Sequence, residues 1–125
     1  MQLPEGRILV TGGGSGLGKE MSRHFLKHGS EVVICGRRGD YLHEKAKIIS
    51  EKTSNEVLPI KADVSNADDC KKLVEETIAR FKKIDVLVNN AGIAVGSAIE
   101  DVSMEDALYQ FEVNLFGIGR TVKAA

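Results

Sequence analysis

Short apolar runs alternate with helical apolar periods along the 125-residue chain. The runs are rich in β-branched residues, as in strands that are buried on both faces of a sheet. They occupy residues 7–11, 31–35, 57–61 and 85–89. Between the runs, apolar residues recur every three or four positions, which is the spacing of a helix with one buried face. The sequence therefore predicts four strands, each followed by a helix.

The first two helices are predicted from their apolar spacing and from one glycine. Leu17, Met21 and Phe25 recur every four residues and predict an inward face for the first helix. Gly29 follows a cationic last turn and predicts the end of this helix. The second helix is predicted over residues 40–53, and its inward positions are Leu42, Ala46 and Ile49.

Polar caps mark the start of the third and last helices. Ser65 or Asn66 can cap the third helix. Its apolar stripe comprises Cys70, Leu73, Val74, Thr77, Ile78 and Phe81. Ser103 and Asp106 stand three residues apart, as in a capping box, and predict that the last helix begins near Ser103. Its apolar positions are Leu108, Phe111, Leu115 and Val122.

Four strands that alternate with helices predict an α/β fold with right-handed crossovers and a parallel sheet. The expected strand order is 3-2-1-4, which is the first half of a doubly wound sheet of the Rossmann type plus one strand of the second half. Ligands bind such sheets at the carboxyl ends of the strands, where the winding reverses. This point lies between the first and fourth strands, so residues 11–18 and 89–92 are expected to line one crevice.

The loop after the first strand has the sequence Thr-Gly-Gly-Gly-Ser-Gly-Leu-Gly over residues 11–18. Glycine permits a tight turn and a close approach of the backbone to a ligand, and the N–H groups at the start of the next helix attract a phosphate. The spacing of Gly12, Gly16 and Gly18 differs from G-x-G-x-x-G, and no Gly-Lys-Ser/Thr follows as in a Walker loop. We expect a cofactor diphosphate here. The alternative is a glycine-rich turn without a ligand.

The end of the second strand bears on the choice of cofactor. An NAD site places a carboxylate about 20 residues beyond the glycines, where it binds the ribose 2′-hydroxyl. This chain has Gly36 at that place, followed by Arg37 and Arg38. Because a guanidinium pairs well with a phosphate, the arrangement favours NADP (NADPH) over NAD. The alternative is that the two arginines form a solvated turn.

Composition and charge narrow the classes of partner. Seventeen basic and eighteen acidic side chains give a net charge of −1, which predicts neither nucleic-acid binding nor a polybasic membrane surface. No apolar run approaches the roughly 20 residues that span a bilayer, and residues 1–6 lack the regions of a secretion signal. Cys35 and Cys70 match neither a disulfide framework nor a metal pattern. We therefore expect a reducing, cytoplasmic location and no metal.

Taken together, these features resemble the short-chain dehydrogenase/reductases. The motifs that carry the resemblance are Thr-Gly-x-x-x-Gly-x-Gly at 11–18, Asp63-Val64, Asn89-Asn90-Ala91-Gly92 and Val113-Asn114, in the order and spacing of that family. The resemblance implies that residues 1–125 are the N-terminal part of a single NAD(P)-binding domain, truncated after the fourth strand and its following helix. Residues 11–19 are also similar to the opening of 2,4-dienoyl-CoA reductases.

The resemblance also implies roles for individual residues. Those implied to wrap the cofactor diphosphate are Gly12, Ser15, Gly16, Leu17 and Gly18. Arg37 and Arg38 are implied to bind the 2′-phosphate. Asp63 and Val64 are implied to border the adenine. The floor beneath the ribose is implied to consist of Asn90, Ala91 and Gly92. Asn114 would match the helix asparagine that family members use to hold a water in a proton relay. The alternative without a ligand is that Asp63 is a turn residue, Asn89-Asn90 a strand terminator and Asn114 a helix-surface amide.

Hydride transfer in this family needs a tyrosine, a lysine and a serine, which the resemblance places beyond the last helix of this chain. Tyr41 and Lys45 match the Tyr-x-x-x-Lys spacing, but their helix follows the second strand, at the adenosine end of the cofactor. We expect an NADP-dependent oxidoreductase that acts on a carbonyl or enoyl/acyl-thioester substrate and is inactive as this fragment alone. The other class is a non-catalytic nucleotide-binding or interaction module.

The fourth strand and the last helix also predict an association surface. The fourth strand would form an apolar edge of the sheet, and the last helix would lack much of its packing partner. Such surfaces pair readily with another chain. We therefore expect a homo-oligomer, or self-association through these two elements.

Overall fold

A parallel four-stranded sheet with the order β3-β2-β1-β4 forms the centre of the computed structural model, which describes residues 5–94 and 96–125. The strands are β1 (Arg7–Thr11), β2 (Glu31–Gly36), β3 (Val57–Lys61) and β4 (Val86–Val88). The α/β Rossmann-type fold and the strand order are confirmed. Residues 1–4, which belong to the segment assessed for a secretion signal, lie outside the described residues.

Helices follow each strand, as the apolar spacing predicts. They are α1 (Gly16–Lys27), α2 (Gly39–Thr53), α3 (Ala67–Phe81), α4 (Met104–Phe111) and α5 (Gly117–Ala124). In the part of the chain that the structure describes, no helix has both the length and the apolar character needed to cross a membrane.

The last helical region differs from the single helix predicted from the sequence. A π-helical turn, Glu112–Phe116, separates α4 from α5. The Arg120 side chain reaches back to this turn, where its Nη1 donates to the Glu112 carbonyl oxygen at 2.9 Å. The guanidinium thus supplies a partner to a carbonyl group where the regular helical ladder is broken.

The predicted helix ends are confirmed at three places. The Asn66 side chain accepts a hydrogen bond from the Asp69 amide at 2.9 Å, so Asn66 is the cap of α3. The Ser103 hydroxyl accepts from the Asp106 amide at 3.0 Å and caps α4. Gly29, just beyond α1, has a φ of +95°, the left-handed conformation that ends many helices.

The two faces of the sheet bury separate apolar cores. Ile8 and Val10 of β1 face the core that α1 and α2 cover, whereas Leu9 faces the core that α3 covers. Successive side chains of a strand point to opposite faces, so β1 is buried on both sides. This burial explains why the strand is recognisable as an unbroken apolar run.

The predicted inward face of α1 is wrong at Leu17, whereas Phe25 packs against the core. The side chain of Leu17 is 70% exposed, while Gly18, Ser22 and Leu26 are buried. Gly18 lets the helix lie close to the loop after β1, because a Cβ there would lie 2.4 Å from the Gly12 carbonyl oxygen. Apolar spacing alone favours the larger side chains and misses this contact. Ile78, predicted to lie on the inner stripe of α3, is also exposed.

Candidate cofactor site

A cleft opens at the carboxyl ends of the strands, between the glycine loop, the end of β2 and the segment after β4. The predicted site residues that line it are Gly12, Ser15, Arg37, Arg38, Asp63, Val64, Ala91 and Gly92. The predicted residues that lie beside the cleft without lining it are Gly16, Leu17, Gly18, Asn90 and Asn114. The structure therefore brings distant parts of the sequence to one place, as the predicted topology requires.

The glycine loop is held against both neighbouring strands. Gly12 and Gly16 have φ angles of +65° and +54°, which favour glycine. A Cβ at Gly12 would lie 3.0 Å from the Ala91 Cα atom, and one at Gly13 would lie 2.4 Å from Ile34 Cγ2. The missing side chains therefore allow the loop to close against the segment after β4 and against β2.

The start of α1 offers main-chain donors to the cleft. Ser15 is the N-cap residue, and its side chain makes no capping hydrogen bond. The first N–H groups of a helix have no partner within the helix and carry a partial positive charge. The first turn contains no acidic side chain, and Gly16 is exposed. These features fit a diphosphate group, which would accept from the free amides.

Thr11 joins the two halves of the site, a role that the sequence analysis missed. Its hydroxyl oxygen accepts from the amides of Asn90 and Ala91, both at 3.0 Å, and donates to the Val88 carbonyl oxygen at 3.4 Å. The residue is only 2% exposed. A buried hydroxyl at the end of an apolar strand is the sequence signal that could have identified it, since a buried polar group needs a partner.

Asp63 lies in the cleft and also shapes the turn after β3. Its Oδ1 accepts from the Ser65 amide at 2.9 Å and from the Ser65 hydroxyl at 2.7 Å. The Asp63 amide donates to Asp69 Oδ2 at 2.9 Å. The turn role considered from the sequence is therefore real. A carboxylate has about four acceptor sites, so the contact with adenine stays a prediction beside it.

The two arginines after β2 are exposed and have aromatic neighbours. The Arg38 guanidinium carbon lies 4.2 Å from the centroid of the Tyr41 ring, and Arg37 Nη1 donates to the Tyr109 hydroxyl. Among the described residues, neither arginine forms an ion pair with a carboxylate. Two positive charges at the rim of the cleft are thus left without an anionic partner.

Asn114, the predicted proton-relay residue, ties the π-helical turn to the segment after β4. Its Oδ1 accepts from the Ile93 amide at 2.8 Å, and its Nδ2 donates to the Ile93 carbonyl oxygen at 2.7 Å. Both polar atoms of the side chain are engaged by one residue. The asparagine is therefore more than a surface amide, and its contact with a water stays a prediction.

Cys35 and the Tyr41–Lys45 pair carry no sign of catalytic chemistry. Burial raises the pKa of the Cys35 thiol to about 12, so the thiol is protonated and a poor nucleophile. The Lys45 Nζ atom lies 5.0 Å from the Tyr41 ring centroid, and Tyr41 stacks against Arg38. The pair therefore sits on the β2 side of the cleft, as the sequence analysis expected.

The sequence model of a protein family described as "short chain dehydrogenase" matches residues 7–125. The chain belongs to the short-chain dehydrogenase family. This membership and the cleft agree, because members of the family bind a nicotinamide cofactor on a fold of this kind.

Relatives of known sequence support the same family. This short-chain dehydrogenase chain is 37% identical over 111 residues to "11-beta-hydroxysteroid dehydrogenase-like 2" of Arabidopsis thaliana, which covers 88% of the chain and 36% of that relative. It is 40% identical over 95 residues to "11-beta-hydroxysteroid dehydrogenase A" of Sesamum indicum, covering 76% of the chain and 27% of that relative. The chain thus spans about a third of the length of the curated relatives.

Solved structures of the family have the same arrangement of elements. An alcohol dehydrogenase from Thermococcus sibiricus complexed with 5-hydroxy-NADP aligns with a TM-score of 0.89 at 30% identity, covering 96% of this chain and 51% of that chain. L-sorbose reductase from Gluconobacter frateurii, complexed with NADPH and L-sorbose, aligns with a TM-score of 0.88 at 29% identity, covering 96% and 46%. The fold of this chain therefore corresponds to about half of these proteins.

Proposed function

We propose that this chain binds NADP in preference to NAD and supplies the cofactor-binding part of an NADP-dependent reductase. The observation that carries the proposal is the end of β2, where Gly36 stands in place of an acidic residue and Arg37 and Arg38 lack anionic partners. An acidic residue there would repel a 2′-phosphate, whereas a guanidinium donates charge-assisted hydrogen bonds to it. Arg37 and Arg38 are the proposed ligands of this phosphate.

The cofactor diphosphate is proposed to lie against the start of α1. Gly12 and Gly16 give the loop the left-handed backbone it needs, and Gly18 lets the helix lie close to the loop and to Asn90. The free amides after Ser15 then donate to the diphosphate oxygens. The exposed Leu17 side chain stands beside these amides and offers apolar surface to the cofactor.

The adenine and ribose are proposed to occupy the middle of the cleft. Asp63 and Val64 border the adenine, with the Asp63 carboxylate accepting from its exocyclic amine. The floor beneath the ribose consists of Asn90, Ala91 and Gly92, and the Thr11 hydroxyl fixes the amides of the first two. The position of this floor therefore depends on a buried hydrogen bond.

The proposed reaction is hydride transfer between the nicotinamide and a carbonyl or enoyl/acyl-thioester substrate. The names of the relatives refer to a hydroxysteroid, an alcohol and L-sorbose, which favours carbon–oxygen chemistry. The acyl-thioester alternative depends on the similarity of residues 11–19 to 2,4-dienoyl-CoA reductases. Asn114 is the proposed link of this chain to a proton relay.

The 125-residue polypeptide alone is proposed to have no turnover. The described residues form a cleft for a dinucleotide. Tyr41 and Lys45, which match the catalytic spacing, lie on the β2 side of this cleft with Arg38 and so at the proposed adenosine end of the cofactor. An NADPH oxidation assay with a panel of carbonyl and enoyl substrates tests this. We expect a rate equal to the protein-free control. Turnover above that control would contradict the proposal, and its persistence in Tyr41→Phe would show that another group donates the proton.

Calorimetric titration of the chain with NADP⁺ and NAD⁺ tests the cofactor preference. We expect NADP⁺ to bind more tightly, and Arg37→Gln to weaken NADP⁺ binding about 10- to 100-fold, the range expected for a hydrogen bond to a charged group. NAD⁺ affinity should not change. Arg80→Gln is the matched control, because Arg80 is an exposed arginine on α3 that does not line the cleft. Equal affinity for both cofactors in the unmodified chain would refute the proposal.

Self-association in the cytoplasm is proposed from the surface of the last helices. Large apolar side chains there are exposed, among them Met104, Leu108, Phe111, Leu115, Phe116 and Val122. Within the part of the chain that the structure describes, β4 pairs with β1 alone and forms an edge of the sheet. Light scattering coupled to size-exclusion chromatography should show a dimer or larger species, and Phe111→Ser should lower the mass. A monomer at all concentrations would contradict this.

A further inference from the structure

Tyr109 contacts an arginine of the proposed 2′-phosphate site from the opposite side of the cleft. Arg37 Nη1 donates to its hydroxyl oxygen, although the two residues are 72 positions apart. The Arg37 guanidinium carbon lies 5.9 Å from the Tyr109 ring centroid. The guanidinium therefore contacts both the hydroxyl and the ring of Tyr109.

The position of Tyr109 places its hydroxyl at the rim of the cleft. Tyr109 lies on α4, four residues before Val113, which lines the cleft. Arg38, in contrast, stacks on Tyr41 of α2. The two arginines are thus held by different helices, and only Arg37 depends on α4.

We propose that Tyr109 determines cofactor specificity by holding Arg37 in place for the 2′-phosphate, an inference that rests on the proposed NADP binding. A guanidinium has five N–H donors, so four remain for a phosphate when one is given to Tyr109. The Tyr109 hydroxyl accepts from Arg37 and holds the guanidinium, with its remaining donors, beside the cleft that Arg37 lines. Tyr109 therefore acts on the 2′-phosphate through Arg37.

Fixing Arg37 also reduces the entropy that it loses on binding. A free arginine side chain must give up several rotamers when it binds a phosphate. The Tyr109 hydroxyl restricts Arg37 beforehand, and this gain is specific to a cofactor that carries a 2′-phosphate. A structural role of Tyr109 alone would affect NADP⁺ and NAD⁺ equally.

Calorimetry with four ligands on the 125-residue chain tests the inference: NADP⁺, NAD⁺, adenosine 2′,5′-bisphosphate and 5′-AMP. We expect Tyr109→Phe to weaken the two 2′-phosphorylated ligands about three- to tenfold, the order of one exposed hydrogen bond. NAD⁺ and 5′-AMP should bind as before. Because phenylalanine keeps the ring, the thermal midpoint should also stay near that of the unmodified chain.

A double-mutant cycle separates the coupling from other effects. In an Arg37→Gln background, Tyr109→Phe should change NADP⁺ binding less than twofold. The unmodified chain could prefer NADP⁺ while Tyr109→Phe binds NADP⁺ as tightly as before, or loses the same affinity for NADP⁺ and NAD⁺. Either result would overturn the role of Tyr109 and leave the proposed function intact. Absence of any NADP⁺ preference in the unmodified chain would instead refute the proposed function itself.

Discussion

The side-chain amide of Asn90 donates to the carbonyl oxygen of Gly12 at 3.1 Å and so connects the segment after β4 to the loop after β1. A Cβ at Gly18 would lie 2.4 Å from the same Asn90 nitrogen. The turn, the start of α1 and the end of β4 therefore meet at one point. The contact explains why a glycine is required there and how motifs 78 residues apart form one site.

Gly18→Ala should destabilise the fold and weaken NADP⁺ binding together. The new methyl group would collide with the Gly12 carbonyl oxygen and with the Asn90 amide, so the helix or the loop must move. We expect a loss of about 1–3 kcal/mol in the free energy of unfolding, as for other overpacked sites. Urea unfolding followed by circular dichroism measures it.

Gly119→Ala is the matched control for that substitution. Gly119 lies in α5, and a Cβ there would have no heavy atom within 4 Å. Alanine should stabilise the helix by about 0.5–1 kcal/mol, since glycine has more freedom to lose in the unfolded chain. Equal effects of the two substitutions would show that the contact at Gly18 is unimportant.

Thr11→Val should leave the Ala91 amide without its Thr11 acceptor, whereas the Asn90 amide keeps the Val88 carbonyl oxygen at 3.1 Å. Valine fills the same volume but cannot accept a hydrogen bond, and an unpaired group that becomes buried costs about 1–3 kcal/mol. We expect that loss of stability together with weaker NADP⁺ binding, measured by chemical unfolding and calorimetry.

Thr77→Val distinguishes the loss of these amide contacts from the removal of a buried hydroxyl in general. Thr77 is equally buried, but its hydroxyl donates to the Leu73 carbonyl oxygen within α3. Its replacement should cost less and should not affect NADP⁺ binding. If both valine variants bound NADP⁺ like the unmodified chain, Thr11 would have no part in the site.

Asn114→Ala should release the segment after β4 from the π-helical turn. The Ile93 amide would lose its acceptor. Because the loss of a hydrogen bond of about 1.4 kcal/mol makes exchange about tenfold faster, we expect that increase in the exchange rate of this amide with deuterium. Hydrogen exchange followed by NMR measures it. The control is Asn66→Ala, which should instead accelerate exchange of the Asp69 amide that Asn66 caps. Unchanged exchange of the Ile93 amide in Asn114→Ala would contradict the proposed link between Asn114 and Ile93.

The buried Cys35 thiol should make the fold less stable at high pH. Its pKa is raised by burial from 9.0 to about 12, so above pH 9 the unfolded chain loses a proton that the folded chain keeps. The contribution of this thiol to the free energy of unfolding is fully present below pH 9 and falls by about 1.4 kcal/mol for each pH unit above it. Unfolding of the unmodified chain and of Cys35→Ala between pH 8 and about pH 10.5 should differ in slope, and identical slopes would show that the thiol is not buried.

The sequence was sufficient for the fold because each strand and helix carries its own local signal. β1 and β3 have the predicted bounds, and the caps at Asn66 and Ser103 and the stop at Gly29 require only residues close in the chain. The strand order also follows from alternation, since crossovers of one hand leave few arrangements.

Contacts between distant elements were the part that the sequence could not predict. The buried residues of α1 include Gly18 and Ser22, and a Cβ at Gly18 would meet the Gly12 carbonyl oxygen and the Asn90 amide nitrogen. Periodicity selected the larger neighbours instead. The apolar spacing carries no signal for the π-helical turn or for the Arg120 contact with its Glu112 carbonyl oxygen. The Asn90 partner of Thr11 and the Tyr109 partner of Arg37 lie 79 and 72 residues away in the chain. Local sequence patterns do not predict contacts between residues so far apart in the chain.

A crystal structure of the chain soaked with NADP⁺ tests the central claim most directly. The account predicts the diphosphate within hydrogen-bond distance of the amides that follow Ser15, and the 2′-phosphate in contact with Arg37. Density for the cofactor elsewhere, or a glycine loop folded across a cleft without cofactor, would contradict it.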